Sequence, residues 1–134
     1  GPADTIIRVA FSGDGKRLAG VSQYATVTLR DPSSFNTIKD FLGHMQGAHG
    51  VAFSPDNRTL ATGGGTDRDA VKLWSVLTQR ELMILSGEGS LFETVVFSPD
   101  GRWLAARNLA GQLHLWHAPS WAEIEAAEKR LSSR

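Results

Sequence analysis

Cysteine is absent from the 134-residue chain. That excludes disulfide frameworks, thiol catalysis and Cys-based zinc sites. Charge of one sign is also missing: Lys plus Arg number 14, Asp plus Glu number 14, and the formal net charge is zero. A dedicated nucleic-acid binder would carry a basic surplus, so none is expected as a partner. No apolar run approaches the roughly 20 residues of a membrane helix, and no membrane partner is expected. The start, Gly1-Pro2-Ala3-Asp4, has neither the basic nor the apolar region of a secretory signal. A cytoplasmic setting is the expectation. Gly1-Pro2 resembles the scar of a cleaved tag, which puts the natural boundary near Ala3 and suggests an excised piece of a longer protein.

What the chain does have is 41% apolar residues, 14 glycines and four tryptophans. The apolar share suits a single packed domain spanning 1–134. Glycine favours turns and tryptophan favours packing, so short strands and tight turns are expected.

The chain repeats itself. Val9-Ala10-Phe11-Ser12-Gly13-Asp14-Gly15, Val51-Ala52-Phe53-Ser54-Pro55-Asp56-Asn57 and Val95-Val96-Phe97-Ser98-Pro99-Asp100-Gly101 read alike, with phenylalanines 42 and 44 residues apart. A second motif follows each: Val27-Thr28-Leu29-Arg30, Val71-Lys72-Leu73-Trp74 and Leu113-His114-Leu115-Trp116. Val-x-Phe alternates apolar and polar positions, as a strand with one face in a core does. Ser-Pro-Asp-Gly is turn chemistry. Its last position, Gly15, Asn57 or Gly101, takes positive φ. Leu18-Ala19, Leu60-Ala61 and Leu104-Ala105 then begin a second strand, and the Val-x-Leu-x motif is a third. A fourth follows in two units, at 35–42 and 80–86. Each unit is a four-stranded antiparallel meander, marginal alone and stable when stacked on its copies.

The period, the Phe-Ser-Pro-Asp turn, Val71-Lys72-Leu73-Trp74 and the Gly43-His44 dipeptide resemble the WD-repeat β-propeller family, from about Ile6 to Trp116. The resemblance implies an all-β fold of three propeller blades, at 6–42, 49–86 and 92–117, the third without its outer strand. It also implies the C-terminal part of a bacterial-type WD-repeat protein. At 120–131, Ser120 and Glu123 form a capping-box pattern, and Trp121, Ile124, Ala127 and Leu131 share a helical face. An amphipathic helix is expected there, its apolar face on the third blade. By repeat equivalence, Phe11, Phe53 and Phe97 should be buried alike, and so should Leu29, Leu73 and Leu115.

The family holds each blade with a buried set: His after Gly, an Asp, a Ser or Thr, and the strand-three Trp. Here His44 and Trp74 stand in place in the second blade. Asp67 or Asp69 could supply the carboxylate, with a two-residue insertion blurring which; Asp69 enters the candidate set. Trp116 is the structural Trp of the third blade, where Glu88 takes the His position and Ala110 the Asp position. In the first blade Arg30 replaces Trp.

Histidines 44, 49, 114 and 117 lack the supporting ligand spacing of a metal site. No Ser-His-Asp order or paired carboxylates stand out. No metal, cofactor or catalytic residue is therefore expected, and no enzyme. For partner proteins, the loop 23–25 with Tyr24, the loop 67–69 with Arg68, and Phe92 are candidate contacts, being residue types enriched at hot spots. The implied function is a scaffold or regulatory segment for protein–protein interaction and self-assembly, with two copies closing a six-bladed homodimeric ring. The alternative is a purely structural closing segment of a larger propeller appended to a bacterial signalling protein.

Overall fold

The structure is a computed structural model and describes residues 5–22, 24, 26–42, 44 and 47–132. Gln23, Ala25 and Gly43, named above with their loops, lie outside the described residues. Among the described residues, eleven strands form three antiparallel sheets. The first runs β1 (Ile6–Phe11), β2 (Leu18–Ser22), β3 (Thr26–Arg30), β4 (Thr37–Leu42). The second runs β5 (Ala48–Phe53), β6 (Thr59–Gly64), β7 (Val71–Ser75), β8 (Glu81–Leu85). The third has three strands, β9 (Thr94–Phe97), β10 (Trp103–Arg107) and β11 (Leu113–His117), and helix α1 (Trp121–Ser132) follows. Every sheet is a meander in sequence order. No helix among the described residues is long and apolar enough to cross a membrane.

The first hairpin of each blade is built by its turn residues. Gly15, Asn57 and Gly101 have φ of 72°, 65° and 74°, the left-handed region that Gly and Asn tolerate. In each copy the amide of this residue donates to the Ser carbonyl three residues earlier, at 2.9 Å. Ser12 and Ser98 donate their hydroxyls to Asp14 and Asp100 at 2.6 Å. These bonds hold the Asp14 and Asp100 carboxyls below the usual carboxylate range. The three turn aspartates are thereby committed to the backbone of their own hairpins.

Strand alternation sends each blade's side chains to two faces, and the two apolar clusters show which is which. Blade one gives Val21, Val27 and Leu29 to the first cluster. Blade two answers with Val51, Phe53, Leu60 and Trp74. Blade two then gives Ala61, Val71 and Leu73 to the second cluster, where Val95, Phe97, Leu104 and Trp116 of blade three meet them. Every blade therefore has a rear face carrying Val-x-Phe, Leu and the last strand-three position, which is Trp74 in blade two, Trp116 in blade three and Arg30 in blade one. Its front face carries the third-strand Val and Leu.

This arrangement corrects the expectation of equal burial. Leu29 and Leu73 are each 1% exposed, but Leu115 is 62% exposed. Phe53 and Phe97 are half-buried, whereas Phe11 is 63% exposed. Phe11 lies on the rear face of blade one and Leu115 on the front face of blade three, and neither face has a neighbour. The positions are equivalent in the repeat, but only the inner ones have a blade opposite.

The helix also departs from expectation. Its capping box forms, with Glu123 N–H donating to Ser120 Oγ at 3.1 Å and Ser120 N–H donating to Glu123 Oε1 at 3.2 Å. Its apolar side, however, leans toward blade two. The Arg58 guanidinium sits 5.6 Å over the Trp121 ring. Ile124, Ala127 and Leu131 line a cleft whose other wall is Leu73 and residues 80–83. With no fourth strand in blade three, the outer front surface of β7 and β8 is left bare, and that surface is what the helix approaches.

Candidate functional site

The polar centre of the molecule lies inside blade two. His44, in the link between β4 and β5, is buried, as are Thr62 on β6, Asp69 before β7 and Trp74 on β7. His44 Nδ1 stands 3.0 Å from Asp69 Oδ2 and His44 Nε2 stands 2.7 Å from Thr62 Oγ1. Trp74 Nε1–H donates to the same Thr62 oxygen at 2.9 Å. Thr66 donates its hydroxyl to the other Asp69 oxygen at 2.5 Å. The carboxylate accepts, so the ring proton sits on Nδ1 and Nε2 accepts from Thr62. The chain of bonds then runs Trp74 to Thr62 to His44 to Asp69, every donor matched to one acceptor. Gly64 makes room for it: a Cβ there would collide with the His44 ring.

Of the two aspartates left open above, Asp69 is the one in this set. Asp67 is exposed, and its carbonyl instead accepts from the Gly87 amide at 3.1 Å. Thr66 and Gly64 were not foreseen, although a Gly-Gly-Gly run beside a buried histidine is a signal of close approach.

Burial pushes His44 below its ordinary value of 6.5, with Asp69 opposing and Lys72 assisting. Protonating Nε2 would also reverse its bond to Thr62. The Thr62 hydrogen would then lose its acceptor, because the protonated Nε2 no longer offers a lone pair. The unfolded chain thus binds a proton that the folded chain resists, so folding stability is full above pH 6.5 and falls as pH drops below it. We expect a loss of up to about 1.4 kcal/mol per pH unit from this one group. Urea unfolding of wild type and His44→Gln between pH 7.5 and 5 checks it. If the variant keeps the wild-type slope, another group is responsible.

Blade three holds itself differently. Trp116 does not reach a threonine; its Nε1–H donates to the Ser86 carbonyl at 3.3 Å. Asn108, fully buried, donates to the Glu88 carbonyl at 3.1 Å and to Gln112 Oε1 at 2.8 Å, and accepts from the Gln112 amide at 2.9 Å. His114 Nε2 donates to the Glu88 carbonyl at 2.8 Å, and its ring stacks on Trp116 with centroids 5.8 Å apart. The backbone of the β8–β9 link, rather than a His-Asp pair, is what blade three grips. Asn108 and Gln112 carry no signal in the sequence, because neither is one of the family's residue types and Asn108 holds a main-chain carbonyl.

The candidate contacts for a partner separate. Tyr24 is 68% exposed in the β2–β3 turn, and Arg68 is exposed in the β6–β7 turn at the same rim. Phe92, expected beside them as an exposed contact, is instead fully buried. Its ring packs into the core between blades two and three and lies 5.3 Å from the His114 ring. Its amide donates to Gly64 at 2.9 Å. Phe92 is a fastener between blades and presents nothing to a partner.

Repeated four-stranded meanders, stacked rear to front and pinned by a buried His-Asp-Thr-Trp chain, define a blade-array protein of the propeller type. The comparisons agree with that geometry. The family described as WD domain, G-beta repeat, matches residues 35–75. An uncharacterized WD repeat-containing protein of Synechocystis sp. is 30% identical over 75% of this chain and 28% of its own length. Nuclear distribution protein PAC1 of Arthroderma otae is 30% identical over 87% of this chain and 27% of its own length. Polyadenylation factor subunit 2 of Cryptococcus neoformans is 33% identical over 64% of this chain and 12% of its own length. The chain belongs to the WD-repeat family. It spans 28% or less of the length of each of these relatives.

Proposed function

We propose that the chain is a non-catalytic WD-repeat scaffold segment that binds protein partners and assembles with itself. WD repeats generally serve protein–protein interaction, and one relative is by its name a subunit of a polyadenylation factor. Tyr24 and Arg68 support the exposed β2–β3 and β6–β7 rim as the partner-binding side.

The self-assembly rests on one observation: side chains that inner blades bury are exposed at both ends of the stack. The front of blade three leaves Leu113, Leu115 and Val96 exposed, and the rear of blade one leaves Val9 and Phe11 exposed. Apolar patches of this kind drive association. The front of one copy takes the rear of the next, as blade two takes blade three. Two copies on a two-fold axis give six blades, within the 4–8 of closed propellers, and three copies exceed it. Size exclusion with light scattering is expected to give twice the 14.5 kDa chain mass at micromolar concentration. A single-chain mass would overturn the ring.

The second reading, a structural closing segment of a larger propeller on a bacterial signalling protein, is favoured by the short span of the matched relatives. There the end faces meet further blades of the same polypeptide. A pull-down with the isolated chain separates the two, since only the first reading expects specific partners to be retained.

A further inference from the structure

We infer that the cleft where blades one and two meet the start of α1 is a second docking site, for a partner protein segment that carries carboxylates and apolar side chains. It goes beyond the scaffold reading, which uses the other rim. In a meander the β1–β2, β3–β4, β5–β6 and β7–β8 turns gather at one end of the strands. The β2–β3 and β6–β7 turns, with Tyr24 and Arg68, gather at the opposite end.

The cleft, of about 680 Å³, is bounded by the first hairpin turns of blades one and two, the β7–β8 turn and the first turns of α1. The two hairpin turns are tied together, since the Asp14 N–H donates to Asn57 Oδ1 at 3.2 Å. Lys16 and Arg17 of one blade thereby line the same recess as Arg58 of the next. Among the described residues, none of these three cations forms an ion pair. The two carboxylates in the recess are held by other donors. Asp14 accepts from the Ser12 hydroxyl at 2.6 Å and the Lys16 amide at 3.0 Å. Glu125 accepts from Trp121 Nε1–H at 2.6 Å. Three cations thus face solvent in one recess of a chain whose net charge is zero.

The rest of the recess is apolar and firmly built. Leu77 is 82% exposed, yet its turn is fixed. Gln79 Nε2 donates to the carbonyls of Val76 at 2.6 Å and Leu77 at 3.0 Å, and the Gln79 amide donates to the Ser75 carbonyl at 2.8 Å. The Val76 amide donates to the Arg58 carbonyl at 3.0 Å, which fastens this turn to the β5–β6 hairpin. Ile38 and the Trp121 ring add further apolar surface. A leucine held by hydrogen bonds of its own turn loses little freedom when a partner covers it. Charge complementarity selects the occupant. Carboxylates take guanidinium groups in paired hydrogen bonds, and a Leu or Phe beside them covers Leu77. A small anion would leave the apolar wall bare. A nucleic-acid strand calls for a basic surplus that the chain lacks, and a flat bilayer does not enter a recess.

The test titrates the whole chain into a short fluorescent peptide of alternating Glu and Leu, read by anisotropy, with a peptide of alternating Gln and Leu as control. The acidic peptide is expected to bind saturably, and the control about tenfold more weakly. Lys16→Glu and Arg58→Glu are each expected to weaken binding of the acidic peptide about tenfold, and Leu77→Ser about fivefold. Arg68→Glu, at the other rim, is expected to leave it unchanged. Thermal unfolding of each variant monitors folding, which these exposed positions should not upset. No binding, or equal binding of the two peptides, overturns the proposal. Binding that is lost in Arg68→Glu and kept in Arg58→Glu overturns this site and leaves the scaffold reading standing. Tighter binding of phosphatidylserine vesicles or of a single-stranded oligonucleotide, with the same dependence on Arg58, would also overturn it.

Discussion

Replacing Leu73 with alanine is expected to cost about 2–5 kcal/mol, while the same change at Leu115 in the dissociated chain should cost under about 1 kcal/mol. The two leucines hold the same place in the repeat and differ only in what stands opposite. Leu73 is enclosed by Leu104, Val95 and Phe97 of blade three. Removing its side chain loses the transfer free energy of the buried atoms and leaves a cavity between two sheets that cannot close without sliding. Leu115 already faces water, so truncation removes little that folding had hidden. Since a whole domain has only about 5–15 kcal/mol of stability, Leu73→Ala should bring the chain close to unfolding at room temperature. Denaturant titration of both variants at a concentration below association measures the contrast. Similar losses at the two sites would mean that the front and rear faces are wrongly assigned.

Gly63→Ala is expected to cost about 3 kcal/mol or more, from overpacking that backbone cannot relieve. A Cβ on Gly63 would collide with the Phe92 carbonyl and approach the Val95 side chain within 2.9 Å. The obstacle is main chain, so no rotamer change clears it. The β8–β9 link would have to lift away, and with it the Phe92 amide bond to Gly64 and the buried Phe92 ring. Gly111, which has only open space where a Cβ would stand, makes the contrasting position for space, though its φ of 85° keeps it glycine. A thermal midpoint unchanged in Gly63→Ala would show that the link is not seated as described.

The parts of this architecture that were legible in the amino-acid order are those decided by near neighbours in the chain. Asn57 in the place of two glycines, for example, announces a left-handed turn residue by its own chemistry, and Ser120 with Glu123 announces a helix start. His44 and Trp74 were recognisable because their spacing from the turn is kept. What depends on the next blade was not legible. Phe92 reads as a loop aromatic, and only the seating of the link over Gly63 and Gly64 makes it core. Phe11 reads like Phe53, and only the missing neighbour exposes it. The helix was expected on blade three because that blade lacks a strand, but the surface thereby uncovered belongs to blade two. Asn108 and Gln112 form a clasp from residues that have no signature individually, since what they hold is main-chain carbonyl.

The rear and front faces give the stack a direction, and direction bears on how such a chain can lengthen. A duplicated unit of 42 to 44 residues, inserted anywhere, brings a rear that fits the front before it and a front that fits the rear after it. No existing junction has to be redesigned, and the two open faces keep the same area however many units lie between them. The stability of the array grows with each copy, whereas the liability at its ends, Phe11 on one side and Leu115 on the other, does not.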